Sequence, residues 1–361
     1  MREQYQRYVA LLFSILMACL LLFSACGSTS IVPSSGPTTQ NAPAIDSSLK
    51  NQGDMQLQTF QQWIALMQQY GGNITSFQQQ YTADQQALAT AKTDAAYKAA
   101  LNTLNAHVES IRFPAMLTEA RSLLQQLQQK ADDWGKTHHY YDDYDKTTYS
   151  LGFEYTKDGV AGWAQDELNA SETIAALQQT IEDLNMYLTN FDAMAKNASD
   201  KTPYNQVHQT DLELLKHYDL MNKKVVVVSL EEEAMRVYQN GQLVKAFLVT
   251  TGRPIKPTPP GVWWVEGKQS PTTFKSTAPK GSPDWYPDTP INYAMQYHSG
   301  GYFLHDSWWR NDYGPGTNFP HEDSSGDSFS AQGSHGCVNI STENAKWLYG
   351  FVELFTPVLV Y

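Results

Sequence analysis

The sequence predicts an α+β multidomain protein, an N-terminal antiparallel helical bundle followed by a mainly β domain. Three observations carry that reading. Apolar residues recur at three- and four-residue spacings from about residue 54 to 221; short β-branched runs replace them after Lys224; and Asn240-Gly241, a strong hairpin signal, separates two of those runs. A chain of 361 residues is long enough for two cores. Its formal charge of -12 argues against a nucleic-acid partner, because phosphate binding needs a basic face.

Residues 1–25 read as a signal peptide. Arg2 and Arg7 precede an apolar run over 9–23, and small residues Ser24 and Ala25 precede Cys26. The segment Leu22-Phe23-Ser24-Ala25-Cys26 resembles a bacterial lipobox, which implies acylation of Cys26 and a membrane-linked, exported protein. Such a protein sits on the outer face of the cytoplasmic membrane or in the periplasm. An uncleaved anchor is disfavoured, because the run is shorter than the roughly 20 residues that a spanning helix needs. Residues 26–53, rich in Ser, Thr, Pro, Asn and Gln, read as a flexible tether.

Helical stripes fill residues 54–222. Leu57, Phe60, Ile64 and Met67 make the first, and Ile74, Phe77, Tyr81 and Leu88 the second. Tyr97, Leu101, Leu104, Val108 and Ile111 form a third; Pro114 is expected to open a fourth helix through Leu117, Leu124, Leu127 and Ala131. Leu177, Ile181, Leu184, Leu188, Phe191 and Met194 give the clearest stripe. The intervening glutamines read as solvated helix faces. The run 138–145, His-His-Tyr-Tyr-Asp-Asp-Tyr-Asp, lacks the glycine and spacing of a calcium loop and reads as an exposed loop. Neither it nor the set His208, Asp211 and His217 is taken as a metal site.

Strands are expected at 225–228, 234–238, 243–249, 262–265, 302–304 and 357–361, with one short helix capped by Ser341 or Thr342. Removal of 1–25 would also remove Cys19, and a lipidated Cys26 cannot pair. Cys337 would then be the one free thiol of an exported chain, either reactive or a buried inert cysteine. A thiol with an ordinary pKa of about 8.5 needs an adjacent base, and acyl transfer needs donors aimed at an oxyanion.

The run Ser334-His335-Gly336-Cys337-Val338-Asn339 resembles the motif of L,D-transpeptidases, the YkuD domain. The likeness extends over 223–361: the strand at 225–228, the hairpin, Thr251-Gly252 and Thr258-Pro259-Pro260-Gly261 fit its opening segments. It implies an L,D-transpeptidase-like catalytic domain, with no cofactor or metal, acting on peptidoglycan stem peptides. Cys337 would be the nucleophile, attacking the carbonyl before a terminal D-Ala and passing the acyl group to an amine, or to water in a carboxypeptidase. Gly336 would donate its backbone N–H to the oxyanion, His335 would line the oxyanion site or bind substrate, and Ser334 and Asn339 would support the motif.

The family's base is an upstream histidine. His305, at the end of the apolar run Tyr302-Phe303-Leu304, is preferred to His321, which sits in a loop-like context. Asp306, through its carbonyl or side chain, would orient His305, and residues 306–333 become an inserted loop. Trp308 and Trp309 in that loop are expected on a lid over the thiol. The second reading is a wall-tethered binding or spacer protein with a weak thiol; a depressed pKa at Cys337 would speak for catalysis and an ordinary one for binding. A papain-like protease is disfavoured, since the Cys-Gly-Ser-Cys-Trp surroundings are absent.

Overall fold

The computed structural model describes residues 45–282 and 285–361. The signal segment, Cys26 and most of the tether lie outside the described residues. Helix α1 (Ser47–Gln69) starts earlier than the stripes suggest, because the Asp46 carboxylate caps it by accepting from the amides of Ser48 and Leu49. Residues 47–53, read as tether, are therefore helical. Helix α2 (Thr75–Thr90) follows, and then α3 (Asp94–Thr137) runs without a break through Pro114.

The expected boundary at Pro114 is thus absent. A proline inside a helix removes one hydrogen bond and crowds the preceding turn, at a cost of about 3 kcal/mol. Ile111, Ala115, Met116 and Ala120 are all buried on either side of it, so core packing of both halves offsets that cost. After α3 part of the run 138–145 is strand: β1 (His139–Tyr141) pairs with β2 (Thr148–Ser150), and residues 142–145 lie in the connection between them. A 3-10 turn at Phe153–Tyr155 leads into α4 (Val160–Ala170), α5 (Ile174–Asn197) and α6 (Gln209–His217).

The β part holds two sheets. In the larger, β5 (Gln242–Leu248), β4 (Ala234–Gln239), β3 (Lys224–Ser229), β13 (Pro357–Val360) and β6 (Gly261–Trp264) lie side by side in that order. Asn240 and Gly241 both have positive φ, the conformation a two-residue hairpin turn needs. The continuous run of valines in β3 reflects burial on both faces. Val226 and Val228 face the second sheet, whereas Val225 and Val227 join Leu177, Leu184 and Phe191 of α5 in one core.

The second sheet has the order β12 (Val338–Ile340), β11 (Tyr302–Asp306), β10 (Ala294–His298), β7 (Gly267–Gln269). Helix α7 (Thr342–Phe351), capped by Ser341, packs Ala345 and Leu348 into the core between the sheets. Strands β11 and β12 are parallel, so the chain must cross back between them; residues 307–337 make that crossover. A small hairpin of β8 (Thr272–Phe274) and β9 (Thr289–Ile291) stands apart as a flap.

Candidate active site

The motif is a turn locked from three sides. The Ser334 hydroxyl accepts from the Gly336 amide at 3.0 Å and donates to the Cys337 carbonyl. Ser334 also pairs through its backbone with Thr251 and Arg253, and Asn339 exchanges two backbone bonds with Thr250. The Thr258 hydroxyl donates to the Gly336 carbonyl while accepting from the Gly252 amide, both at 2.9 Å. Gly336 has φ +104°, and a Cβ there would lie 2.6 Å from the Tyr302 ring. Only glycine fits that position without displacement. Its amide, expected to serve an oxyanion, is already committed to Ser334; one N–H cannot serve both at full strength.

His305 lies on β11, and Cys337 immediately precedes β12, the parallel strand beside it. Leu304 pairs with Val338 and His305 with Asn339. Leu304 and Val338 are in the core, so period-two alternation puts Phe303, His305 and Asn339 on the opposite face, while Cys337 Sγ, just before β12, lies 3.9 Å from the Gly301 carbonyl. His305 is only 4% exposed, with Phe274 of the flap at 5.1 Å and Trp309 at 6.1 Å between ring centroids. Its Nδ1 lies 2.8 Å from the Asp306 carbonyl, which can only accept, so that nitrogen carries the proton. Nε2 is left as the acceptor and receives Asn339 Nδ2 at 3.2 Å.

Of the two groups of Asp306, the carbonyl is the one within hydrogen-bond distance of His305. Its carboxylate is buried and accepts from the Asn292 amide, the Asn292 side chain and the Tyr293 amide at 2.7–2.8 Å. His321 lies on the crossover, its Nδ1 2.8 Å from the Phe319 carbonyl. His335 is exposed, with its ring 5.5 Å from Tyr286 in the loop of the flap. Trp308 is 53% exposed and donates from its indole to the Pro290 carbonyl at 2.9 Å, tying crossover to flap. Trp309 stands at His305. Trp308 packs on Trp309, so of the two only Trp309 meets the histidine.

Burial pushes the Cys337 thiol up to about 11, opposed by a hydrogen bond from the Phe303 backbone. Burial also lowers His305 below its ordinary value, although the bond to Asp306 works the other way. The resting pair is therefore neutral thiol and neutral imidazole. Tyr286 and Tyr302 are raised first by burial and then by the nearness of Cys337. Sequence reasoning missed both tyrosines as neighbours of the thiol. Tyr302 carried a signal in Gly300-Gly301-Tyr302, a turn leading into the histidine strand; Tyr286 sits in an aperiodic Pro-containing loop and carried none.

Residues 223–360 match the profile of the L,D-transpeptidase catalytic domain, YkuD. L,D-transpeptidase 1 of Mycobacterium tuberculosis is 26% identical over 165 residues, 44% of this chain and 58% of the relative. L,D-transpeptidase 2 of that organism is 26% identical over 144 residues, 38% of this chain and 31% of the relative. This chain therefore spans well under two thirds of these curated relatives. The solved catalytic domain of the Enterococcus faecium L,D-transpeptidase is 35% identical, covering 39% of this chain and 98% of that one, with a TM-score of 0.32. The C-terminal domain, residues 223–360, belongs to the L,D-transpeptidase catalytic-domain family.

Proposed function

We propose that the chain is a peptidoglycan L,D-transpeptidase that uses Cys337 as nucleophile and His305 as base. The supporting observation is the fixed tautomer of His305, its Nε2 left as an acceptor, on the strand beside the one into which Cys337 leads. As a stem peptide binds, Nε2 gives up its bond from Asn339 and takes the thiol proton, while Sγ bonds to the carbonyl carbon of the residue before the terminal D-Ala. The tetrahedral intermediate collapses, the C–N bond breaks, and His305 returns the proton to the departing D-Ala amine. The thioester is then attacked by an acceptor amine, which gives a cross-link, or by water, which gives a carboxypeptidase product. With the Gly336 amide engaged, this reading assigns the oxyanion to the Cys337 backbone N–H and the His335 imidazole.

The second reading, a wall-tethered binding or spacer protein with weak catalysis, is favoured by one observation: the Cys337 thiol is raised, not depressed. Transfer of its proton only when substrate arrives reconciles that value with catalysis. Cys337→Ala is expected to abolish turnover of a tetrapeptide stem, measured as D-Ala release. Full release by the alanine variant would eliminate the nucleophile assignment. Export and a lipid anchor at Cys26 belong to the same proposal, supported by the N-terminal sequence pattern.

A further inference from the structure

We propose that Trp163, supplied by the helical region, is a positioning residue for the nucleophile. The inference rests on Cys337 being that nucleophile. Helix α4 buries Val160, Ala161, Ala164 and Leu168 in the core shared with the larger sheet, which brings Trp163 to the catalytic domain half-buried. Its ring stacks on His298 at 5.4 Å and 28° and lies 5.7 Å from the Tyr302 ring. Trp263 closes the far side of His298 at 4.5 Å, edge to face.

His298 in turn shapes the turn before β11. Its Nδ1 accepts from the Gly300 amide at 3.0 Å and its carbonyl accepts from the Gly301 amide at 3.1 Å. The Gly301 carbonyl lies 3.9 Å from Cys337 Sγ, and the Tyr302 ring packs against Gly336. Trp163 thus bears on both neighbours of the thiol through one turn, contacting no reacting atom itself. Aromatic faces fix orientation more tightly than an aliphatic contact of equal area, because edge and face preferences favour one arrangement. A nucleophile displaced by about 1 Å loses on the order of a hundredfold in rate.

The test uses the full chain with Trp163→Ala, Trp163→Phe and Trp163→Leu. D-Ala release from a tetrapeptide stem and the pH profile of Cys337 alkylation by iodoacetamide are measured for each. Roughly tenfold or greater loss of kcat is expected in W163A, with KM within about twofold; W163F should recover most of the loss. The alkylation profile of W163A should shift relative to the wild type, which loss of stability alone would not produce. W163L retains apolar bulk without the stacking plane, so it serves if W163A fails to fold, and it should be slow. Wild-type kcat and an unshifted alkylation profile in W163A or W163L would overturn the proposal. If the wild-type chain releases no D-Ala, the nucleophile reading has failed, and the alkylation profiles still decide the positioning role.

Discussion

The two ends of α3 belong to different bodies. At its N-terminal end Tyr97, Leu101, Leu104, Val108 and Ile111 close a core with Phe60, Ile64, Met67 and Leu88 of α1 and α2, helix against helix. At its C-terminal end Leu123, Leu124, Leu127 and Ala131 enter a core that continues through α4, α5 and α6 into Val225, Val227, Tyr238, Val262 and Leu359 of the larger sheet. The stripes that build these ends look alike in sequence. One makes a self-contained bundle, and the other supplies one layer of the catalytic body, where a helical layer covers a sheet face.

Polar groups separate the two ends as well. The N-terminal core carries the pair Asp84 with His107 at 2.7 Å, the histidine partly exposed. At the sheet, Arg236 of β4 is wholly buried against Asp211 of α6, and Tyr238 and Tyr361 donate their hydroxyls to the same carboxylate. His208, whose ring meets the Asn197 side chain at 3.0 Å, belongs to this seam, while His217 is exposed at the end of α6. Burying such charges is tolerable only when each is paired.

The largest effect is therefore expected from Asp211→Ala, which removes the two-pronged carboxylate partner of the buried Arg236 guanidinium and leaves it only Glu232 as counter-charge. A loss of about 3–5 kcal/mol is expected in denaturant unfolding, with D-Ala release and the helical signal lost in one transition. Two well-separated transitions, with the helical signal leaving first and release intact, would show that the seam is not shared. Next comes Leu104→Ala in the self-contained bundle. It should cost about 2–5 kcal/mol locally while kcat stays within about twofold, because that core does not reach the sheet. A tenfold fall in kcat would join the two ends into one functional body.

The smallest effect concerns Glu154, buried in the 3-10 turn near Glu231 of the β part. Burial raises Glu154 to about 8 from its ordinary 4.5, and Glu231 to about 7. Between 4.5 and about 8 the folded chain holds a proton on Glu154 that the unfolded chain releases. Stability should then fall as pH rises through that window and level off above it. Glu154→Gln mimics the protonated form. Its melting temperature should exceed that of the wild type by several degrees at pH 8.5 and match it near pH 4.5, leaving the weaker slope from Glu231. Parallel melting curves for the two proteins across pH would place Glu154 outside the folding equilibrium.

Much was readable in the chain because the signal was local. Asn240-Gly241 demanded a tight hairpin turn, Val225 to Val228 read as a strand, and the resemblance of the run from Ser334 to Asn339 to the L,D-transpeptidase motif pointed to Cys337. The stripe at 177–194 matched a helix because 3.6-residue periodicity is a property of one segment alone. The flap strands and β7 escaped notice because three-residue segments such as Gly267–Gln269 are too short to show alternation.

Contacts between distant segments were another matter. The sequence by itself determined the helical and β regions, the candidate thiol and the candidate histidine at the end of an apolar run. Tertiary structure alone decided that α3 continues through Pro114, because the balance between a missing backbone bond and two buried faces depends on what those faces meet. It decided that β11 and β12 run parallel, which makes the stretch after His305 a required crossover. And it decided that the Gly336 amide is spent on Ser334, that Asp306 reaches His305 by its carbonyl, and that Trp163 of the helical region packs against His298 and Tyr302. Each depends on side chains brought together across many residues, and packing of that kind leaves no period in the sequence.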